Sequence, residues 1–137
     1  MTTPLTSAPS VRAYEVRAES TATFGRVLCS ARDHHFVVDG PVQNGCPGEA
    51  ITPVEVFLSA VAACGVELIH VIARDEGVPL ERVGVTITGT VDRGRQARAD
   101  VTLFTAVRLR FRLAGAGATQ VLDGARAAAL VEGFKRR

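Results

Sequence analysis

The sequence has no tryptophan, one tyrosine and six phenylalanines, so aromatic residues make up only 5% of its 137 positions. At 47% hydrophobic and 22% charged the composition is nonetheless that of a globular chain. Ala, Val and Leu must therefore do most of the packing. Cysteine is scarce and odd in number, three in all. That speaks against a disulfide framework and for a reduced, cytoplasmic protein. Neither sign of charge dominates: 16 basic residues face 14 acidic ones, for a net charge of +2. The basic residues are dispersed apart from Lys135-Arg136-Arg137, which excludes the footprint of a nucleic-acid binder. No repeat or low-complexity segment is present. The opening MTTPLTSAPS has no basic stretch leading into an apolar one, so residues 1–10 read as a flexible tail and not a secretory signal. Residues 11–137 then form one domain, a length ordinary for a single core.

One long apolar run does occur, ITPVEVFLSAVAACGVELIHVIARDEG, from Ile51 to Gly77. Thr52 as cap, Pro53 at the first helical position and Glu55 completing a capping box predict a helix start. Gly77, with Pro79 two residues on, predicts its end. Such a helix is roughly 35 Å long at 1.5 Å per residue. Its length approaches that of a membrane span, but Glu55, Glu67 and His70 inside it point to a soluble buried helix. Val54, Val56, Phe57, Leu58, Val61, Leu68, Ile69, Val71 and Ile72 make it apolar on nearly every side, so it must be covered on more than one. A sheet from so short a chain covers one side. A partner subunit across a two-fold axis is expected to supply the rest.

Around this helix the signals are those of strands. Val11 to Ala18 and Thr21 to Cys29 are weak candidates, with Gly25 a turn or bulge point, and His35-Phe36-Val37-Val38 is a short strand. GPVQNGCPGEA, residues 40–50, is a loop. Beyond the helix the period becomes two: Val83, Val85, Ile87 and Val91, then Val101, Leu103, Val107, Leu109, Phe111 and Leu113. The link through Asp92-Arg93-Gly94-Arg95 predicts an antiparallel hairpin. The row Arg108, Arg110, Arg112 is a solvated face or, less commonly for such rows, a binding surface. Gly115-Ala116-Gly117 reads as a turn, and Thr119 to Phe134 as a second helix packing through Val121, Leu122, Ala125, Ala129 and Val131. The fold class is α+β, with mainly antiparallel sheets, a long buried central helix and a C-terminal helix.

The run Thr52-Pro53-Val54-Glu55-Val56-Phe57-Leu58-Ser59-Ala60-Val61-Ala62-Ala63-Cys64 resembles the helix start of the OsmC/Ohr family of osmotically inducible and organic-hydroperoxide-resistance proteins. The lead-in Phe36-Val37-Val38-Asp39-Gly40-Pro41 and the sequel Gly77-Val78-Pro79-Leu80-Glu81 are similar as well. The resemblance implies an intertwined homodimer with active sites at the subunit interface and thiol-based reduction of organic hydroperoxides. Cys64 matches the family's reactive cysteine, and Arg26 best matches the arginine that steadies its thiolate, with Arg32 as the second choice. No cofactor or metal is implied. Two family features are missing. Ala129 stands where the resolving cysteine belongs, so a small thiol or dithiol must restore Cys64 unless Cys46 or Cys29 substitutes. Val54 stands where the peroxidase branch keeps a glutamate, which leaves Glu55 on the face opposite Cys64 as a capping residue.

Read from the residues alone, Cys64 in an apolar helix is a small buried hydrophobe. Cys64, Glu67 and His70 fall within a 120° arc at i, i+3 and i+6, three metal-ligand types without a metal-site spacing. Two functions are consistent with the whole: a single-cysteine organic hydroperoxide reductase, or a non-catalytic dimer that binds a small apolar ligand at its interface. Neither calls for nucleic acid or membrane as a partner.

Overall fold

The computed structural model of the chain describes residues 10–115 and 124–137. The order of elements is β1 (Arg17–Ser20), β2 (Arg26–Ala31), β3 (His34–Asp39), α1 (Pro53–Asp75), β4 (Leu80–Thr90), β5 (Ala106–Gly115) and α2 (Gly124–Lys135). Two helices and two antiparallel sheets confirm the α+β class. The chain divides into two compact units, Met1–Pro53 and Val54–Arg137.

In the first unit β1, β2 and β3 form an antiparallel meander. The turn before β2 is held by Thr21, whose hydroxyl donates to the Arg26 carbonyl at 3.0 Å, and Gly25 adopts φ +77°. Arg32 and Asp33 make the two-residue turn between β2 and β3, with Arg32 at φ +53°. That turn fixes the register from Ala31↔His34 to Arg26↔Asp39. Strand structure reaches back only to Arg17; Val11, Tyr14 and Val16, inside or beside the first expected strand, are exposed. Residues 1–9 of the expected tail lie outside the described residues.

In the second unit α1 begins at Pro53 and stops on a paired carbonyl-capping motif. The Val78 N–H donates to the Ala73 carbonyl at 2.8 Å and the Gly77 N–H to that of Arg74 at 3.2 Å. This geometry puts Gly77 at φ +67°, where a side chain is unfavourable. The core-facing stripe of α1 is Gly65, Ile69, Ile72 and Ala73, spaced at i, i+4, i+7 and i+8. Its most apolar window has a mean hydropathy of 2.1, enough by composition to cross a membrane, yet here it is the helix around which the unit's core is built. Leu130 of α2 completes that core, with Phe111, Leu113, Phe134 and Val83 packed against it. Phe111 and Phe134 meet with centroids 5.5 Å apart and rings tilted by 60°.

Three expectations change. On α2 Val131 packs against the core as expected, but the fully buried residue is Leu130, and Ala125 and Ala129 are exposed; Val121, Leu122 and the expected turn at 116–117 lie outside the described residues. In an Ala-rich helix the small side chains mark no face, and the larger Leu130 and Phe134, four apart, set the register. Val101 and Leu103 precede β5 and do not continue it. Gln96 takes the place of a strand partner for Leu103: its amide oxygen accepts from the Leu103 N–H at 2.6 Å, and its Nε2 donates to the carbonyls of Leu103 at 3.1 Å and Asp92 at 2.8 Å. Lastly, among the described residues the buried positions of α1 make one stripe, and Val54 and Phe57 are 51% and 56% exposed. The arginine row is as expected: Arg108, Arg110 and Arg112 are exposed, and Leu109, Phe111 and Leu113 between them face inward.

Candidate functional site

Cys64 lies on α1 next to the core stripe and outside it. It is exposed, as are Glu67 and His70 one and two turns on. The small residues beside it have separate explanations. Gly65 is buried because the helix approaches the hairpin there: a Cβ on Gly65 would stand 3.4 Å from Phe111 and 3.7 Å from Phe134. Part of the small-residue collar is therefore helix packing, and the rest leaves the thiol open. Among the described residues no group of three or more His, Cys, Asp or Glu is arranged to hold a metal ion.

The position expected for a resolving thiol is displaced from Cys64 within this chain. Ala129 lines a shallow recess with Gly77 and Val78, at the far end of α1. Gly77 is thirteen residues beyond Cys64, about 20 Å along the helix axis. A disulfide needs Cα atoms within about 7 Å. The α2 residue level with the turn after Cys64 is Phe134, which carries no thiol.

Arg26 is the most strongly held cation among the described residues. Its Nε donates to Asp39 Oδ1 at 2.8 Å and its Nη2 to Asp39 Oδ2 at 2.9 Å, a two-pronged pairing that suits a planar guanidinium. Nη2 also reaches Glu49 Oε2 at 3.3 Å. Asp39 is fully buried and accepts two further bonds at Oδ2, from the N–H groups of Glu49 at 3.0 Å and Ala50 at 2.8 Å. Both buried carboxylate oxygens are thus hydrogen-bonded. The Arg26 hydrogen bond, then the Ala50 N–H, holds the Asp39 carboxyl well below its ordinary range. The bonds to Asp39 and Glu49 push the Arg26 guanidinium further up. Both groups stay charged at any working pH. Sequence reasoning missed Asp39, although the two-residue turn at Arg32-Asp33, once assumed, places Arg26 opposite Asp39 by counting outward. Arg32 itself sits exposed at that turn.

The other two thiols are unpaired as well. Cys29 stands opposite Phe36 and Ala18 in the meander. Cys46 is wedged where Gly25 and Gly40 approach, and a Cβ on either glycine would collide with its sulfur. Cys46 is thus held by packing, with its S–H directed at the Asn44 carbonyl at 3.8 Å.

The profile of the OsmC-like protein family matches residues 46–136, and the chain belongs to that family. Its fold is shared with an OsmC-like protein of unknown function from Vibrio cholerae, at TM-score 0.78 and 11% identity over 92% of this chain and 89% of the other. An organic hydroperoxide resistance protein from Elizabethkingia anophelis aligns at TM-score 0.72 and 13% identity, over 94% and 85%. Another organic hydroperoxide resistance protein, from Legionella pneumophila, aligns at TM-score 0.62 and 20% identity, over 93% and 85%. No match was found among curated protein sequences.

Proposed function

We propose that the chain is a thiol-dependent organic hydroperoxide reductase working as a cytoplasmic homodimer in oxidative stress defence. The observation that carries this reading is the exposed thiol of Cys64 on the central helix, inside the region that matches the OsmC-like family. The Cys64 thiolate attacks the terminal oxygen of the hydroperoxide. The O–O bond breaks, the alkoxide leaves and takes up a proton as the alcohol, and the sulfur becomes a sulfenic acid. A small thiol condenses with the sulfenic acid to release water and leave a mixed disulfide, and a second thiol frees Cys64. The partner subunit covers the face of α1 on which Val54 and Phe57 are exposed. Arg26 is the proposed cation that steadies the thiolate, since a mid-helix thiol gains little from the helix N-terminus. Turnover of cumene hydroperoxide with a dithiol donor tests the reading: wild type should consume peroxide and Cys64→Ser should not. Background turnover in both would refute it.

A second reading is a non-catalytic dimer that binds a small apolar ligand. It is favoured by Val54 at the place of the peroxidase glutamate and by the half-exposed Phe57, stacked on Phe104 at 5.9 Å. Iodoacetamide kinetics separate the two: a Cys64 pKa near or above the free value of about 8.5 supports the binder.

A further inference from the structure

The second unit carries a recess that the thiol chemistry does not use. It opens at the end of the β4–β5 hairpin, has a volume of about 530 Å³, and has Arg95, Arg108, Asp92, Gln96, Leu103 and Phe104 in its walls. That volume is in the range of small-molecule sites, about 300–1,000 Å³.

Its wall is built, not incidental. The loop from Val91 to Thr105 is fixed at both ends. Asp92 Oδ1 accepts from the Gly94 N–H at 2.9 Å. Thr105 donates to the Thr90 carbonyl through its N–H at 2.8 Å and its hydroxyl at 3.0 Å. The three bonds of Gln96 join the two limbs between. A loop so tied pre-orients what it carries, and a ligand need not order it.

The charges in the wall are unbalanced. Among the described residues Arg95 and Arg108 have no carboxylate partner, whereas Arg98 in the same loop is paired with Asp100. The one carboxylate in the wall, Asp92, is turned to the Gly94 N–H. Two guanidinium groups against one carboxylate leave the recess with a surplus positive charge. Arg108 also begins the exposed row continued by Arg110 and Arg112, and the residues of β4 on that face are Gly84, Thr86, Thr88 and Thr90, with no acid among them. Arg112 donates to Thr86 at 2.9 Å and keeps its charge. A row of one sign that ends in a concave site concentrates counter-ions there. Ala97, Leu103, Phe104 and Ala106 give the wall an apolar part beside its polar residues, and Leu103 is 55% exposed.

We infer that this recess binds a small organic anion, a carboxylate or phosphate monoester whose head meets Arg95 and Arg108 and whose short apolar body lies on Leu103 and Phe104. Guanidinium groups suit both headgroups because each offers two oxygens in one plane. The site is independent of Cys64 and of the hydroperoxide reading.

The test is amide-resolved NMR titration of the full chain with octanoate, octyl phosphate and, as neutral control, octanol. Either anion should shift the amides of Gln96, Leu103 and Thr105, and the tighter of the two identifies the headgroup. Arg95→Gln and Arg108→Gln should each weaken binding by about tenfold, the size expected for loss of one charged hydrogen-bonding group. Cys64→Ser should leave binding unchanged, and unaltered amide spectra away from the loop show that the variants are folded. The inference is overturned if neither anion binds, if octanol binds as tightly, or if binding survives both arginine substitutions.

Discussion

The two units of this chain are held by opposite kinds of interaction. Around Ile69, Ile72, Ala73 and Leu130 the second unit has an apolar core, with no buried polar side chain in it among the described residues. The centre of the first unit is a buried carboxylate: among its described residues Asp39 is fully enclosed and Val38 beside it nearly so. One arrangement is non-directional and scales with area; the other depends on four donors meeting one group. The first should fail through lost volume and the second through lost charge or geometry.

The largest effect is expected from Ile69→Ala. Ile69 has no exposed surface, and truncating such a residue costs about 2–5 kcal/mol, read as a lower urea midpoint with unchanged slope. Asp39→Asn should instead act locally, because it leaves Arg26 without its main partner. Hydrogen exchange should show lost protection at Glu49 and Ala50 with the Ile69 region unchanged. Acid sharpens the contrast. A carboxyl held below its ordinary value of 3.8 contributes stability that is complete above that value and disappears as pH falls through the lower, folded-state one. Protection at Glu49 and Ala50 should therefore persist through pH 3.8 and collapse only in stronger acid. If it is lost at the ordinary value, the Arg26 bond is not what holds Asp39.

Smaller effects should follow from backbone and surface. Gly77→Ala meets no neighbouring atom, so its cost is conformational alone, about 1–2 kcal/mol, read as a lower thermal midpoint, and Gly77→Asn should cost less. Arg112→Gln removes one exposed bond to Thr86 and should change stability by no more than about 0.5 kcal/mol.

These differences also mark how far the sequence could be read. Local signals carried well. Thr52-Pro53 and Gly77 bounded α1, the alternation from Val83 onward gave β4, and the pairing of Val85 with Phe111 is the hairpin that period two implies. The position of Cys64 was legible through its family motif, and its exposure was not, because a helix apolar on all sides does not say which side its own chain covers. Contacts made across sequence were harder. Leu130 was hidden by the alanines around it. Leu103 kept the strand alternation but is served by the Gln96 side chain, and side-chain bonds of that kind leave no periodic trace. The burial of Asp39 depends on Arg26 and the pair Glu49-Ala50 arriving from two other segments, and the anion recess on a loop that closes over its own hairpin.

The wedge at Cys46 has a consequence for anyone who labels this protein. Its sulfur fills space that Gly25 and Gly40 leave for it, so an alkylating reagent must wait for residues 40–50 to swing away, whereas Cys64 is left open by its own chain and needs no such movement within it. Mass spectrometry of partially alkylated protein should show two clocks for Cys64 and Cys46. The fast one times the thiol on the central helix. The slow one times the opening of a loop, and it should quicken in Asp39→Asn.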